Sequence, residues 1–311
     1  MKIINFCKVL ILLTTFWVST GFAQSNKVLI INSDNSVFRY ETIAIEFKKV
    51  LQQNAYQWVD FNLNNHVAAE AKLKQLIQQE NPELIYCIGT KAYSLARNYA
   101  DNRKLLFSAA INWRRLDIGQ GTYGVGNELS PAQEISLLRY FFPAIKNIGL
   151  LYNDKFSREY VETIKKDALS LGIHIVNQPI NDTQEIGDAL DELLPKIELF
   201  WIIPDPVVLS SKASVQQIFQ SAQRQKKPVY AYSDVYIEQG AVLAISADLA
   251  TIGRQSANLA LMMDKDKVPE GTVQSPAGST VTLNKCALDA LQSGFNQDAL
   301  DSVNKIVECG K

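Results

Sequence analysis

The chain has 311 residues, 47% hydrophobic and 20% charged, with a formal net charge of −1. That length suits two domains, and the balance is that of a globular protein rather than a disordered or fibrous one. Lysine and arginine gather only in pairs such as Arg114-Arg115 and Lys226-Lys227, which excludes a basic footprint for nucleic acid.

Taken in chain order, Met1 to Ala23 reads as a secretory signal. It carries Lys2 and Lys8, the apolar run Val9 to Val18, and Gly21-Phe22-Ala23 as a small-x-small cleavage site. The run is too short for an easy membrane span. Gln24 stands where lipid attachment would need a cysteine. Cleavage removes two lysines and no acid, taking the charge from −1 to −3. A periplasmic location is expected.

Strand and helix then alternate. Lys27 to Asn32 is a buried strand ending in the polar loop Ser33-Asp34-Asn35-Ser36, and the next helix places Ile43, Phe47, Val50 and Leu51 on one face. Gln57 to Leu63 is a strand and Val67 to Gln79 a helix. Leu84 to Ile88 is a strand that turns at Gly89 into a helix from Lys91, with Thr90 at the N-cap. A helix start at a parallel strand's carboxyl end offers unpaired N–H groups, and ligands of open α/β sheets bind at that edge. Strand Lys104 to Ala109 leads into the glycine-rich stretch Ile111 to Ser130, which breaks the rhythm.

Regularity resumes at Ser130, which caps a helix with Pro131 at its first position and Gln133 completing a capping box. Strand Asn147 to Tyr152 leads through Asn153-Asp154 to a helix from about Ser157 to Leu171. Strand Ile173 to Asn177 precedes a helix opened by Asp182-x-x-Glu185. Strand Leu199 to Ile203 ends in Pro204-Asp205-Pro206, and a helix bearing Val215, Ile218, Phe219 and Ala222 follows. Strand Val229 to Tyr232 ends in Ser233-Asp234. Strand Val242 to Ala247, helix Ile252 to Met263, strand Thr280 to Leu283 and a short helix from Asn284 complete the chain. Two such series each call for a parallel sheet covered on both faces. The fold class is therefore α/β, with two doubly wound lobes that change over near Gly126. A cleft between such lobes is a standard place for a small ligand.

Enzyme signatures are mostly absent. Gly119-Gln-Gly121-Thr-Tyr-Gly124 matches G-x-G-x-x-G, but neither the strand before it nor the helix after it that nucleotide binding needs is predicted, so it reads as a flexible loop. There is no nucleophile elbow or Walker A loop. His66 and His174 have no neighbours at ligand or triad spacing. No cofactor and no metal are expected. Cys87 lies within an apolar strand, while Cys286 and Cys309 flank the last segment, where an oxidising compartment permits a bridge or leaves two thiols.

What recurs is a polar cluster after successive strands: Ser33-Asp34-Asn35, Gly89-Thr90-Lys91, Asn112, Asn153-Asp154, Asp205 and Ser233-Asp234. Together they describe a cleft rich in hydrogen-bonding groups. Phe38, Trp113, Tyr152 and Tyr232 lie nearby in the chain, able to stack on a ligand or to pack in the core.

Several pieces resemble the periplasmic substrate-binding proteins of ABC transporters, in the group with tryptophan- and tyrosine-binding members. They are Pro82-Glu-Leu-Ile with Ile88-Gly-Thr-Lys-Ala92, Gln133 through Asn153, and Lys227-Pro-Val-Tyr through Gly240-Ala241 with Asp248 and Gly253-Arg254-Gln255. Val268-Pro269 and the segment with Asn284 and Ala287 extend the likeness across nearly all of the mature chain. The resemblance implies a type I periplasmic-binding fold with three crossovers forming the hinge. It puts residues 24–127 and 248–265 in lobe 1, and 128–247 and 266–311 in lobe 2. It implies that Thr90 meets an anionic or polar end of the ligand, while Asn153, Asp205 and Ser233 approach from the other lobe. Its usual partner is an inner-membrane ABC permease, or a membrane sensor as second reader. A monomer and an aromatic or other amino-acid ligand are expected.

The chain also departs from that pattern. Ala110-Ile-Asn-Trp-Arg-Arg replaces an Asp-Pro and a glycine, and Gly121-Thr-Tyr-Gly-Val-Gly replaces Asn-Val-Thr-Gly. Both changes fall at the predicted cleft, where Arg114 and Arg115 are candidates to hold a carboxylate. The rival readings are an exported α/β hydrolase using carboxylates such as Asp205 and Asp234, and a ligand-free interaction module.

Overall fold

The computed structural model describes residues 27–265, 267–268, 273–291 and 294–309. The expected signal segment lies outside the described residues. Among the described residues no helix is long and apolar enough to cross a membrane.

The first half gives β1 (Lys27–Asn32), α1 (Phe38–Gln53), β2 (Gln57–Asn62), α2 (Ala69–Glu80), β3 (Leu84–Ile88), α3 (Thr90–Ala96), β4 (Lys104–Ser108) and β5 (Thr122–Val125). The middle gives α4 (Pro131–Phe141), β6 (Asn147–Tyr152), α5 (Asp154–Ser170), β7 (His174–Pro179), α6 (Ile186–Leu193), β8 (Leu199–Ile202), α7 (Lys212–Arg224), β9 (Val229–Ala231) and β10 (Leu243–Ala247). The chain ends with α8 (Leu249–Asp264), β11 (Val273–Gln274), β12 (Ser279–Asn284), α9 (Lys285–Leu291) and β13 (Lys305–Val307). Among the described residues these strands form two sheets, ordered β11-β5-β4-β3-β1-β2 and β13-β12-β10-β9-β8-β6-β7.

Each sheet has a hydrophobic core on both faces, and the two-residue side-chain period divides every strand between them. In β1, Val28 and Ile30 enter one core and Leu29 and Ile31 the other. In β8, Trp201 faces one core while Phe200 and Ile202 face the other. Strands buried on both sides read as unbroken apolar runs, which is why they stood out in the sequence.

Among the described residues the chain passes between the sheets three times: from β5 to α4, from β10 to α8, and from β11 to β12. Because β12 enters from the other lobe, it pairs antiparallel to β10, whereas the remaining pairs are parallel. Val273 and Gln274 pair with Gly124 and Val125, which keeps the chain in the first sheet beyond the return expected at 266.

The stretch read as a flexible glycine loop contains β5. A side chain at Gly124 would bring a Cβ within 2.5 Å of the Phe107 ring, so glycine is needed for that ring to pack on the sheet. A strand built around such a contact lacks an apolar signature. The capping box of Ser130 and Gln133 is present. That of Asp182 is only half formed: Asp182 accepts from Gln184 N at 2.7 Å, but Glu185 accepts from Asn181 N. Cys286 and Cys309 are bridged, and Cys87 is buried and free.

Helix α8 returns to the first lobe and lies against α1, its Ile252, Ala257 and Leu259 joining Ile43 and Phe47. Gly253 permits the approach. A Cβ there would sit 2.6 Å from the Ile43 carbonyl and 2.8 Å from Glu46 Cβ. Gly253→Ala is expected to lower stability by about 2 kcal/mol, because overpacking against backbone outweighs alanine's gain in helix propensity of ~1 kcal/mol. Urea denaturation checks this; an unchanged or higher midpoint would mean that the helices separate without cost.

Candidate functional site

The carboxyl-terminal edges of the two sheets meet across a cleft of about 430 Å³. The first lobe supplies Phe38, Arg39 and Thr42 from the opening turns of α1, and Ile111 from the loop after β4. The second supplies Pro204 after β8, Tyr232 to Val235 after β9, and Thr280 and Thr282 of β12. The end of β10, with Ser246 and Ala247, and two crossovers, with Asn127, Glu128, Asp248 and Leu249, complete it. A cavity of about 520 Å³ lies at the opposite edge of the first sheet, beside Lys27, Leu84 and Lys104, where the strands begin. Among the described residues it has no wall from the second lobe.

Of the predicted site residues, Tyr232, Ser233 and Asp234 line the cleft. The Asp234 amide donates to Ser246 Oγ at 3.1 Å, tying this loop to β10. Burial pushes the Tyr232 phenol up, as does neighbouring Tyr236, while the Arg39 charge pulls it down from the facing lobe.

Others support the first wall from behind. Thr90 is not the cap of α3. Its hydroxyl accepts from the Ile111 amide at 3.0 Å, steadying a cleft residue. The helix is capped from a distance by Ser33, whose Oγ accepts from Ala92 N at 2.9 Å. Gly89 precedes the helix at φ +89°, and a Cβ there would stand 2.6 Å from that same Ser33 oxygen. The predicted free amide edge is therefore already in use at Ala92. Asp34 accepts from Ser36 N and Oγ at 3.0 and 2.7 Å, and the Ser36 bonds hold its carboxyl below the ordinary value. Asn35 N donates to Asn62 Oδ1 at 3.3 Å, and Lys91 is exposed. None of these side chains lines the cleft.

Asn153 and Asp205 are structural. Asn153 caps α5 by accepting from Lys155 N at 3.1 Å, and its Nδ2 donates to the Ile180 carbonyl at 2.8 Å. The helix thus begins at Asp154, ahead of the expected Ser157. Asp205 is buried. Its Oδ1 accepts from Val207 N and Val208 N at 2.8 and 3.0 Å, and its Oδ2 from Asn153 N and Ser157 Oγ at 2.8 and 2.6 Å. Four donors leave that carboxylate little capacity for a ligand.

Asn112 begins an arm from the first lobe to the second. With its amide nitrogen turned toward Pro204, it donates to that carbonyl at 2.9 Å and accepts from Arg115 Nη2 at 2.7 Å; the reverse orientation would oppose like groups. The Arg114 guanidinium lies 4.7 Å from the Trp113 ring and 4.3 Å from that of Tyr160, and pairs with Glu128 at 3.5 Å. Arg115 stacks on Phe156 at 5.3 Å. Both arginines therefore brace the lobes. Trp113 is covered by Arg114, and Tyr152 is buried with its hydroxyl 3.3 Å from Asn177 Nδ2, so Phe38 and Tyr232 are the two of the four named aromatics that line the cleft.

In the cleft wall, burial raises the Glu128 carboxyl, opposed by the Arg114 charge. Burial pushes Glu134 up to about 8, against hydrogen bonds from Tyr230 and Tyr160. Among the described residues no group of three or more His, Cys, Asp or Glu side chains is arranged to hold a metal ion.

Known proteins share this architecture. The chain is 22% identical over 261 residues to the "Tyrosine-binding protein" of Clostridioides difficile strain R20291, covering 79% of this chain and 75% of that one. A ligand-free, open substrate-binding protein with adhesive properties from Clostridium difficile superposes with a TM-score of 0.71 at 20% identity, covering 92% of this chain and all of the other. An ABC domain from Streptococcus pneumonia in complex with L-Trp superposes at 0.58 with 18% identity, covering 91% of this chain and all of the other. These likenesses establish the type I periplasmic-binding fold. Residues 40–306 match the ABC transporter substrate binding protein family, and with most of its length so matched the chain belongs to that family.

Proposed function

We propose that this protein is an exported, monomeric solute receptor of the periplasm, and that it presents an amino-acid-like ligand to an inner-membrane ABC permease. The observation that carries the reading is the cleft of about 430 Å³ with walls from both lobes. That volume falls in the range of about 300–1,000 Å³ typical of small-molecule sites and is too small for a folded partner. The ligands named for two of the similar proteins, tyrosine and L-Trp, favour an amino acid.

The contact set we propose is Tyr232, Ser233 and Asp234 from the second lobe, met by Phe38, Arg39 and Ile111 from the first. Ser33, Gly89, Thr90 and Asn112 act by holding that wall. Of the described residues, lobe 1 takes 27–127, 248–265, 267–268 and 273–274 in this reading, and lobe 2 takes 128–247, 275–291 and 294–309. Phe38 is 79% exposed and Val235 62% exposed on facing walls. Closure would remove some of that apolar surface from water, at about 25 cal/mol per Å². A ligand shifts the lobes only through tighter binding to the closed form. The non-catalytic reading is supported by Asp205, whose engagement removes one member of the carboxylate pair a hydrolase would use.

Isothermal titration with the standard L-amino acids tests this. Saturable binding of at least one, recovered chemically unchanged, is expected, with a smaller radius of gyration by X-ray scattering on saturation. Chemical conversion of the added compound, or no binding by any, would overturn the reading.

A further inference from the structure

We propose that the ligand is held as a zwitterion, its carboxylate on the Arg39 guanidinium and its ammonium on Asn127 Oδ1. The inference rests on the binding function proposed above and adds the polarity of the ligand and the two residues that set it.

Arg39 is the only arginine or lysine among the described residues lining the cleft. It is half-buried and joins no ion pair among the described residues, whereas Arg114 is paired with Glu128 and stacked on two rings, and Arg115 is stacked on Phe156. An unpaired guanidinium on a cleft wall suits a carboxylate, which it can grip through two parallel N–H bonds. It shares the cleft with Tyr232 of the facing lobe, on whose phenol its charge acts.

Asn127 lies on the crossover between the lobes. Its Oδ1 is buried and has no hydrogen-bond partner among the described residues. A buried acceptor left without a donor is costly, and an ammonium supplies three. Glu128 beside it, with Asp234 and Asp248, makes the cleft richer in carboxyl groups than in cations. A ligand with only negative charge would be repelled there, and an amine with no carboxylate would leave Arg39 unpaired. An α-amino acid with an uncharged side chain meets both demands. The aromatic surfaces of Phe38 and Tyr232 remain for that side chain.

The test is titration calorimetry at neutral pH with L-tyrosine, L-tryptophan and L-phenylalanine, their decarboxylated amines, and their des-amino acids. Thermal melts verify that each variant is folded. For the wild type, each amine is expected to bind about 100-fold more weakly than its parent amino acid, as for loss of a strong charge-assisted pair. Arg39→Ala and Arg39→Gln should bring amino acid and amine to within about threefold of one another, with Arg39→Lys restoring part of the gap. Asn127→Ala should instead erase the preference over the des-amino acid. An Arg39→Ala protein that still discriminates against the amine overturns the carboxylate assignment, and an Asn127→Ala protein that still discriminates against the des-amino acid overturns the ammonium assignment. A wild type that binds the amine as well as the amino acid overturns the zwitterion while leaving the receptor function standing. A wild type that binds none of the standard amino acids overturns both.

Discussion

Asp205→Ala is expected to destabilise the protein by about 3–5 kcal/mol, because it strips the acceptor from several buried donors at once. The side chain accepts from three main-chain amides and the Ser157 hydroxyl. Hydrogen bonds to charged groups contribute about 1.5–3 kcal/mol each, and their loss leaves the donors buried without acceptors. Two connections loosen together: the loop after β8, which carries Pro204 into the cleft, and the first turn of α5. Asp205→Asn keeps one acceptor oxygen and should lose less. Urea denaturation of both variants measures this. A normal midpoint with abolished ligand binding would instead make Asp205 a ligand contact, as its place in the sequence suggests.

Asp205 shows how far a sequence can be read here. Its position at a strand's carboxyl end was legible, because an apolar run followed by a polar loop marks that edge. Which way its oxygens point was not. They turn toward the start of α5, whose Asn153 is 52 positions earlier in the chain. The cap of α3 gives the same lesson. Local pattern favours Thr90, but the acceptor is Ser33, 59 positions away. Capping rules describe nearest neighbours in sequence, whereas a parallel sheet brings distant loops into the same layer. The lobes themselves were readable for the opposite reason: doubly covered strands such as β1 and β3 consist of apolar residues almost throughout.

The cleft residues that escaped sequence reading share a property. Arg39 and Thr42 lie in a helix, Thr280 and Thr282 in a strand, and Asn127, Glu128 and Asp248 on crossovers. Attention to loops at strand ends passes over the residues that lie within the helix and the strand. The signal that could have found Arg39 is its position one residue into a helix that follows the first strand, on the same edge as the predicted polar loops. For the crossover residues, the glycine-rich stretch up to Gly126 points to the cleft as a region, but no local pattern singles out Asn127 or Glu128 within it. A hinge between two lobes is necessarily also the back of the cleft between them.

Glu134→Gln is expected to remove a pH dependence of stability. Glu134 lies in the first turn of α4, where an acid ordinarily complements the helix dipole. Here the strand β9 and helix α5 close over it, with Tyr230 and Tyr160 hydroxyls directed at its oxygens and Glu128 and Arg114 acting on it electrostatically. Burial dominates and pushes the carboxyl from 4.5 up to about 8. At neutral pH the folded protein therefore keeps this proton, while the unfolded chain releases it. The contribution is fully present below about pH 4.5 and is lost as pH rises through about 8, on the order of 5 kcal/mol in all. Glutamine is uncharged and nearly isosteric, so the variant should be flatter across this range and more stable than the wild type near pH 8. Glu128 is raised by burial as well and contributes a slope of the same sign, so wild-type stability alone does not isolate Glu134. The difference between wild type and Glu134→Gln, taken from urea midpoints at steps from pH 5 to 9, does so. If that difference stays constant across the series, Glu134 is ionised in the folded state and the pair of tyrosines stabilises a carboxylate instead.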